Sequence, residues 1–240
     1  MPGGDHHAGP AGGAERTGRP AGGGDGLGAI VLAGGRASRL GGADKPALRV
    51  GERSLIGSVL AEASGAGARQ VVVVGPDRPG LLLPGGQLRV VREDPPGGGP
   101  VPALHRGLAE ITTGWILLLA ADLPFLRARH LVSLLAAARR DGQGTGSVLA
   151  DGTGRPQWLA SCWQAPPLRR AAAGYRGNSL HGLLRPLRPV LLALPPDDPG
   201  PPAWLDCDTP HDVRRARAWF NVRASGGGEE VADELAGRLD

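Results

Sequence analysis

Residues 29–46 read AIVLAGGRASRLGGADKP. The first five residues form a continuous apolar run, which is typical of a parallel strand covered on both faces. The loop that follows carries four glycines, two arginines and one lysine within residues 34–45. Glycine lets backbone N–H groups approach a ligand closely, and the cations supply positive charge for phosphate oxygens. This stretch therefore predicts a buried strand that ends in an anion-binding loop.

The rest of the chain repeats this order of an apolar run followed by a helical segment. Strands are predicted near residues 70–75, 88–92, 115–120, 147–150, 158–163 and 190–194, and helices over 54–67, 101–110 and 128–140 and after residue 209. The alternation predicts an α/β fold, a three-layer sandwich with an open, mostly parallel, Rossmann-like sheet. Ligands of such sheets bind beyond the carboxyl ends of the strands, which is where the glycine-rich loop lies.

Two of the helix starts carry capping residues. Ser54 precedes the first helical segment and is its predicted N-cap. Thr209, Pro210 and Asp212 have the spacing of a capping box, with proline at the first helical position.

Composition divides the 240 residues into one domain and two tails. Residues 1–27 are rich in glycine and proline without apolar periodicity, which predicts a disordered tail. Residues 28–222 form the predicted domain, and residues 223–240 form a flexible tail with a short acidic helix candidate. The N-terminal stretch lacks the apolar region of a secretory signal, and no run of about 18 apolar residues predicts a membrane helix.

Charge and cysteine content narrow the partners and the compartment. The formal net charge is +4, and the arginines are spread over helical faces without a basic stripe of interleaved aromatics, so a nucleic-acid partner is not expected. Cys162 and Cys207 lie far apart without metal-ligand spacing, which predicts reduced core thiols and a cytoplasmic protein.

Two common phosphate-binding motifs do not fit the loop. The Walker pattern requires Ser or Thr directly after its lysine, whereas Lys45 is followed by Pro46. The dinucleotide pattern G-x-G-x-x-G does not follow the first strand. The loop therefore belongs to another class of phosphate-binding loop.

Four motifs, in order, resemble those of the molybdenum cofactor guanylyltransferases of the MobA-like nucleotidyltransferase family. Residues 32–45 are similar to the signature loop L-A-G-G-x-x-x-R-[LM]-G-x-x-D-K. Residues 93–100 (EDPPGGGP) resemble its second nucleotide segment, residues 121–125 (ADLPF) its metal-binding D-x-P segment, and residues 206–210 (DCDTP) the element that opens its last helix. The resemblance spans about residues 29–220 and implies the nucleotidyltransferase version of the fold.

The resemblance implies a site for GTP. It implies these nucleotide-binding residues: Leu32, Ala33, Gly34, Gly35, Arg36, Lys45, Asp94 and Asp122. Asp94 and the backbone of residues 32–34 would contact guanine. The second glycine of L-A-G-G favours GTP over CTP, because cytidylyl relatives commonly read L-A-A-G.

The implied catalytic residues are Arg39, Lys45 and Asp122. Arg39 and Lys45 would neutralise the triphosphate and the leaving pyrophosphate, and Asp122 would bind Mg²⁺ at the end of its strand. Asp208 is a second candidate metal ligand, although Asp122 and the segment around Asp208 are both also explained as helix caps. Catalysis would rest on alignment and electrostatic stabilisation, without a covalent nucleophile.

The implied reaction joins GMP from GTP to the phosphate of molybdopterin or Mo-molybdopterin and releases pyrophosphate, with molybdoenzymes or their chaperones as further partners. Arg155, Gln157 and Asn178 are candidate contacts to this acceptor. Two alternatives stay open. One is transfer of another nucleotidyl group, such as CMP, to the same cofactor or to a sugar or polyol phosphate. The other is a non-catalytic nucleotide-binding chaperone for molybdoenzymes, which would not need Asp122.

Overall fold

The computed structural model describes residues 25–34, 44–140, 145–195 and 200–224. Within them, one sheet has seven strands in the order β5-β4-β1-β6-β8-β7-β9, and β2 and β3 form a separate hairpin. The strands are β1 (Leu27–Leu32), β2 (Arg49–Val50), β3 (Arg53–Ser54), β4 (Gln70–Val74), β5 (Gln87–Val91), β6 (Trp115–Ala120), β7 (Gly146–Ala150), β8 (Pro156–Gln164) and β9 (Val190–Ala193). The helices are α1 (Leu55–Gly65), α2 (Pro100–Glu110), α3 (Ala128–Arg140), α4 (Ala165–Gly174), α5 (Leu180–Leu184) and α6 (Pro210–Ala224), with short 3₁₀ turns at Lys45–Ala47 and Arg185–Leu187.

Strand β1 lies at the centre of the sheet and is buried along its whole length. Its side chains alternate between two hydrophobic cores, because successive residues of a strand point to opposite faces. Ala29 and Val31 face the core formed with α1 and α3. Ile30 and Leu32 face the core formed with α2, α4 and α5. Helices therefore cover both faces, and the predicted three-layer α/β sandwich is confirmed.

The sheet is mostly parallel, as predicted, with one exception. Strands β4, β1 and β6 pair in parallel, whereas β8 lies antiparallel between β6 and β7. Only five residues, 151–155, join β7 to β8, and so short a connection joins neighbouring strands only in the antiparallel sense. Asp151 tightens this turn, because its Oδ1 accepts hydrogen bonds from the backbone N–H groups of Thr153 and Arg155.

Element boundaries differ slightly from the predictions. Strand β1 includes Leu27, which the sequence placed in the N-terminal tail, because its pairing with β6 begins at Trp115. Helix α6 continues to Ala224, two residues past the predicted domain end. Residues 1–24 and 225–240, which make up most of both predicted tails, lie outside the described residues.

Both predicted helix caps are present. The Ser54 side chain accepts a hydrogen bond of 3.1 Å from the backbone N–H of Gly57 at the start of α1. At α6 the backbone N–H of Thr209 donates to the Asp212 carboxylate at 2.7 Å, and the backbone N–H of Asp212 donates to the Thr209 hydroxyl at 3.2 Å. This reciprocal capping box fixes where α6 begins, directly after Asp208.

A third, smaller core fastens α6 to the rest of the domain. Val213, Ala216 and Trp219 of α6 pack against Phe125 and against residues of the β2–β3 region. The Phe125 and Trp219 rings meet edge to face with centroids 5.4 Å apart. Because Phe125 lies just beyond β6, this packing holds the start of α6 against the end of that strand.

Both cysteines are free and buried, as the sequence predicted. Burial raises the pKa of each thiol to about 12. In the described part of the chain, no helix combines the length and apolar character needed to cross a bilayer.

We expect both cysteines to resist a thiol-specific reagent in the folded protein. At pH 8, four pH units below the folded pKa, about one thiol in ten thousand is the reactive thiolate. Spectrophotometric thiol titration at pH 8 should therefore detect two groups in denaturant and close to none without it. Fast labelling of Cys162 or Cys207 in the native protein would contradict this burial.

Close packing of α2 on β1 predicts that Gly107→Ala is destabilising. A Cβ at Gly107 would lie 2.6 Å from Cγ2 of the buried Ile30. The overpacking should outweigh the better helix propensity of alanine and lower the free energy of unfolding by about 1–2 kcal/mol. The matched control is Gly174→Ala at the end of α4, where a Cβ meets no atom within 4 Å. Chemical denaturation should show that this control is neutral or slightly stabilising, and equal destabilisation by both variants would refute the packing argument.

Candidate active site

The candidate site lies along one edge of the sheet, where the parallel strands end. Gly34 follows β1, Gly75 follows β4, and Glu93 follows β5. Asp122 follows β6, and the antiparallel β8 begins at this same edge with Pro156. The sheet order therefore sets the lateral order of these residues, with Asp122 between Gly34 on one side and the start of β8 on the other.

Lys45 joins two carboxylates that are far apart in sequence. Its Nζ forms ion pairs with Oδ2 of Asp122 and, at 2.5 Å, with Oδ1 of Asp208. The side chains of Lys45 and Asp122 are largely buried, whereas that of Asp208 is about half exposed. Desolvation alone would lower the pKa of Lys45, but the Asp122 and Asp208 carboxylates outweigh it and raise the pKa above its ordinary value. The side chain is therefore a fixed positive charge at neutral pH.

Asp122 and Asp208 are suitably placed to share a cation, since both already contact one ammonium group. Among the described residues, no three His, Cys, Asp or Glu side chains lie close enough to hold a metal ion by themselves. Two carboxylates completed by substrate oxygens are an ordinary ligand set for Mg²⁺, which seldom uses an all-protein cage. The residues at this point thus fit a divalent metal that arrives with a phosphate ligand.

Asp206 adds a third acidic side chain near this pair. Desolvation raises its pKa, and repulsion from the carboxylates of Asp208 and Asp122 raises it further. A nearby positive charge would relieve this repulsion, because it favours the ionised form of each carboxyl group. The site accordingly concentrates negative charge around a single lysine.

Arg78 connects the two ends of the glycine-rich loop and was not predicted from the sequence. Its buried guanidinium donates 2.6 and 2.7 Å hydrogen bonds to the two carboxylate oxygens of Asp44 and a 2.9 Å bond to the carbonyl of Ala33. Ala33 precedes the loop, and Asp44 is the residue before Lys45. An arginine in a Pro/Gly-rich turn is normally solvated, and the one available signal was its place four residues after a parallel strand.

Gly75 leaves room for the start of the same loop. A Cβ at this position would lie 2.7 Å from the carbonyl carbon and oxygen of Ala33 and 3.0 Å from the backbone nitrogen of Gly34. Any side chain would therefore displace the backbone that follows β1. The chain gains close approach of these two strand ends and gives up a side chain directed at the ligand.

A cavity of about 620 Å³ opens along this edge, within the usual size range of small-molecule sites. One part of its wall comes from the ends of β1 and β5, and includes Leu32, Gly34, Glu93, Pro96 and Gly97. The other part comes from β8 and the segment before α6, and includes Gln157, Leu159, Ala160, Trp204 and Asp206. Asp122 also lines the cavity, and in the strand order it lies between these two parts. Trp204, which sequence reasoning missed, contributes an aromatic surface.

The structure brings together most of the predicted site residues that it describes. Leu32, Gly34 and Asp122 line the cavity, Lys45 contacts Asp122, and the Ala33 backbone is held by Arg78. Gly35, Arg36 and Arg39 lie outside the described residues.

The predicted base contact and the predicted acceptor contacts are placed less uniformly. Asp94 is exposed, and the residue of its segment that lines the cavity is its neighbour Glu93. The contact of Asp94 with the base stays a prediction. Gln157 lines the cavity, while Arg155 and Asn178 are exposed and are not among its described lining residues.

Similarity to known proteins agrees with this arrangement. Residues 29–190 match the family model described as the MobA-like NTP transferase domain. Over 143 residues, the chain is 32% identical to a probable molybdenum cofactor guanylyltransferase of Mycobacterium tuberculosis, covering 58% of this chain and 68% of that protein.

Solved structures share the fold. A nucleotidyl transferase from Methanothermobacter superposes with a TM-score of 0.65 at 25% identity, over 83% of this chain and all of that one. The molybdopterin-guanine dinucleotide biosynthesis protein A of Archaeoglobus fulgidus gives 0.59 at 23% identity, over 79% and 96% of the two chains. A Mycobacterium tuberculosis protein solved with manganese gives 0.58 at 21% identity, over 81% and 98%.

The family match covers two thirds of the chain and includes both the loop after β1 and Asp122 at the end of β6. The chain therefore belongs to the MobA-like NTP transferase family.

Proposed function

We propose that this protein transfers GMP from GTP to the phosphate of molybdopterin, or of its molybdenum complex, and releases pyrophosphate in a Mg²⁺-dependent reaction. The observation that carries the proposal is the position of Lys45 between Asp122 and Asp208 beside a nucleotide-sized cavity. The names of the relatives, which include a probable molybdenum cofactor guanylyltransferase, support the choice of nucleotide and acceptor.

The two parts of the cavity wall suit the two substrates. The part at β1 and β5 is formed by small and apolar residues that fit the flat faces of a base, such as Leu32, Pro96 and Gly97. The part at β8 offers Gln157 and the aromatic ring of Trp204 to an acceptor with a flat heterocycle. Asp122 lies between them in the strand order, where the α-phosphate of one substrate would meet the phosphate of the other.

Asp122 and Asp208 would hold the Mg²⁺ in this proposal. When bound, the metal supplies a Lewis acid that neutralises phosphate oxygens and orients the two phosphates. Lys45 keeps its proton, since its pKa is raised, and neutralises the charge that develops on the leaving pyrophosphate. No side chain needs to attack the phosphate, so the residues of this chain act by alignment and electrostatics.

We also place the protein in the cytoplasm, which is consistent with its two free, buried thiols. Molybdoenzymes or their chaperones would receive the product. Transfer of CMP by the same site is the nearest alternative, because cytidylyl transfer needs the same cations and carboxylates. A non-catalytic carrier is disfavoured by the paired carboxylates, since a protein that only holds a nucleotide gains nothing from two negative charges beside its phosphates.

Pyrophosphate release tests the reaction and the role of Asp122 together. The wild-type protein should release pyrophosphate from GTP only when molybdopterin and Mg²⁺ are both present, and a chelator should stop the release. Asp122→Asn should lower kcat by at least about 100-fold, because the metal loses a charged ligand. Glu52→Gln, which neutralises an exposed carboxylate in the β2–β3 turn, is the control and should be unaffected.

Two results would contradict the proposal. Faster turnover of CTP than of GTP would transfer the activity to the cytidylyl class. Full activity of Asp122→Asn would remove the metal-binding role of this residue.

Arg78→Met should weaken GTP binding by releasing both ends of the loop. The variant removes forked hydrogen bonds to Asp44 and the bond to Ala33, so we expect KM for GTP to rise about 10- to 100-fold with a smaller change in kcat. Arg78→Lys should give an intermediate KM, because an ammonium group cannot reproduce the fork.

Steady-state kinetics and melting temperature should be measured together for this series. Arg170→Met, at an exposed position on α4, is the matched control for loss of one arginine. If Arg78→Met lowered the melting temperature but left KM for GTP unchanged, Arg78 would stabilise the fold without positioning the loop.

A further inference from the structure

Glu93 is a buried acidic residue to which neither the sequence motifs nor the reaction chemistry assigns a role. It follows β5, and only 8% of its surface is exposed. Its Oε1 accepts a 3.0 Å hydrogen bond from the backbone N–H of Gly97. Its Oε2 is shielded from solvent, and no donor among the described residues reaches it.

An acceptor oxygen in this position is unusual. Buried polar atoms nearly always have a hydrogen-bond partner, since an unmatched carboxylate oxygen loses its water without compensation. Glu93 also lines the cavity, on the part of its wall formed by β1 and β5. The missing donor is therefore naturally supplied by whatever occupies that part of the cavity.

The surroundings hold this carboxylate in one orientation and leave its approach open. The bond from Gly97 fixes one oxygen, and Gly97 has a φ of +77°, a conformation that side-chain-bearing residues rarely adopt. On the other side lies Gly34, where a Cβ would stand 3.4 Å from Oε1. A side chain at position 34 would crowd the carboxylate, so glycine there keeps the space beside it free.

A carboxylate accepts hydrogen bonds and donates none, so it matches a base with adjacent donors. Guanine presents two such donors side by side, the ring N1–H and the 2-amino group. Cytosine and adenine each place an amino group next to an acceptor ring nitrogen, which a carboxylate would repel. Hypoxanthine, the base of inosine triphosphate, keeps N1–H but lacks the 2-amino group.

We propose that Glu93 selects guanine by accepting hydrogen bonds from N1–H and the 2-amino group of the base. This inference rests on the proposed function, because it assigns the base to the β1 and β5 part of the cavity. It gives the role that the motif comparison assigns to Asp94 to the neighbouring residue, whose carboxylate is buried at the cavity wall.

Calorimetric affinities of GTP, inosine triphosphate and CTP, with Mg²⁺ present, test the inference. The wild-type protein should bind GTP at least about 10-fold more tightly than inosine triphosphate, because one hydrogen bond to a charged acceptor is lost. In Glu93→Gln this ratio should fall to about 1, since an amide at this position no longer presents two acceptor oxygens. Asp94→Asn is the matched control and should keep the wild-type ratio.

Each contrary result has a separate meaning. An equal loss of affinity for GTP and inosine triphosphate in Glu93→Gln would show that Glu93 shapes the cavity without reading the base. A ratio that collapses in Asp94→Asn, or that is already 1 in the wild-type protein, would also overturn the inference. Preference of the wild-type protein for CTP over GTP would instead overturn the proposed function.

Melting temperatures without nucleotide show whether the variants are folded. Glu93→Asp is the second variant, because it keeps the acceptor oxygens and shortens the side chain by one methylene group. It should retain a preference for GTP over inosine triphosphate that is weaker than in the wild-type protein, and a ratio of 1 in this folded variant would count against the inference.

Discussion

The ammonium group of Lys45, held between the carboxylates of Asp122 and Asp208, is the interaction on which the rest of the site depends. It joins three chain segments: the end of the glycine-rich loop, the end of β6 and the start of α6. Two carboxylates this close would repel each other without a shared cation. The site is thus built to keep positive charge between them, whether that charge belongs to lysine or to a metal that arrives with substrate.

The fold supplies this interaction by independent means at each point. Burial on both faces fixes β6 and therefore Asp122. Aromatic packing of Trp219 on Phe125 and the capping box at Thr209 fix the start of α6 and therefore Asp208. Arg78 anchors the residue before Lys45. Because most of these supports are packed or hydrogen-bonded away from solvent, the charged groups are oriented before a ligand binds, which is what electrostatic catalysis requires.

Sequence reasoning predicted the fold and the main catalytic segment well, because both depend on local patterns. Continuous apolar runs identified the buried strands, and the motif at residues 32–45 identified the loop and Lys45. Strand pairing was harder, because the antiparallel direction of β8 follows from the short turn that precedes it. The carboxylate at the cavity wall was assigned to Asp94 by motif, whereas burial and an unmatched oxygen draw attention to Glu93.

The sequence by itself determined the α/β class, the phosphate-type loop after β1 and the acidic residue at the end of β6, because periodicity, glycine spacing and charge are all local properties. Only the tertiary structure decided that Arg78 closes the loop, that Trp204 and Glu93 line the cavity, and that Lys45 meets Asp208 across 163 residues of chain. Such contacts depend on which strand ends and helix starts become neighbours. That is a result of packing two cores against one twisted sheet, which no short stretch of sequence contains.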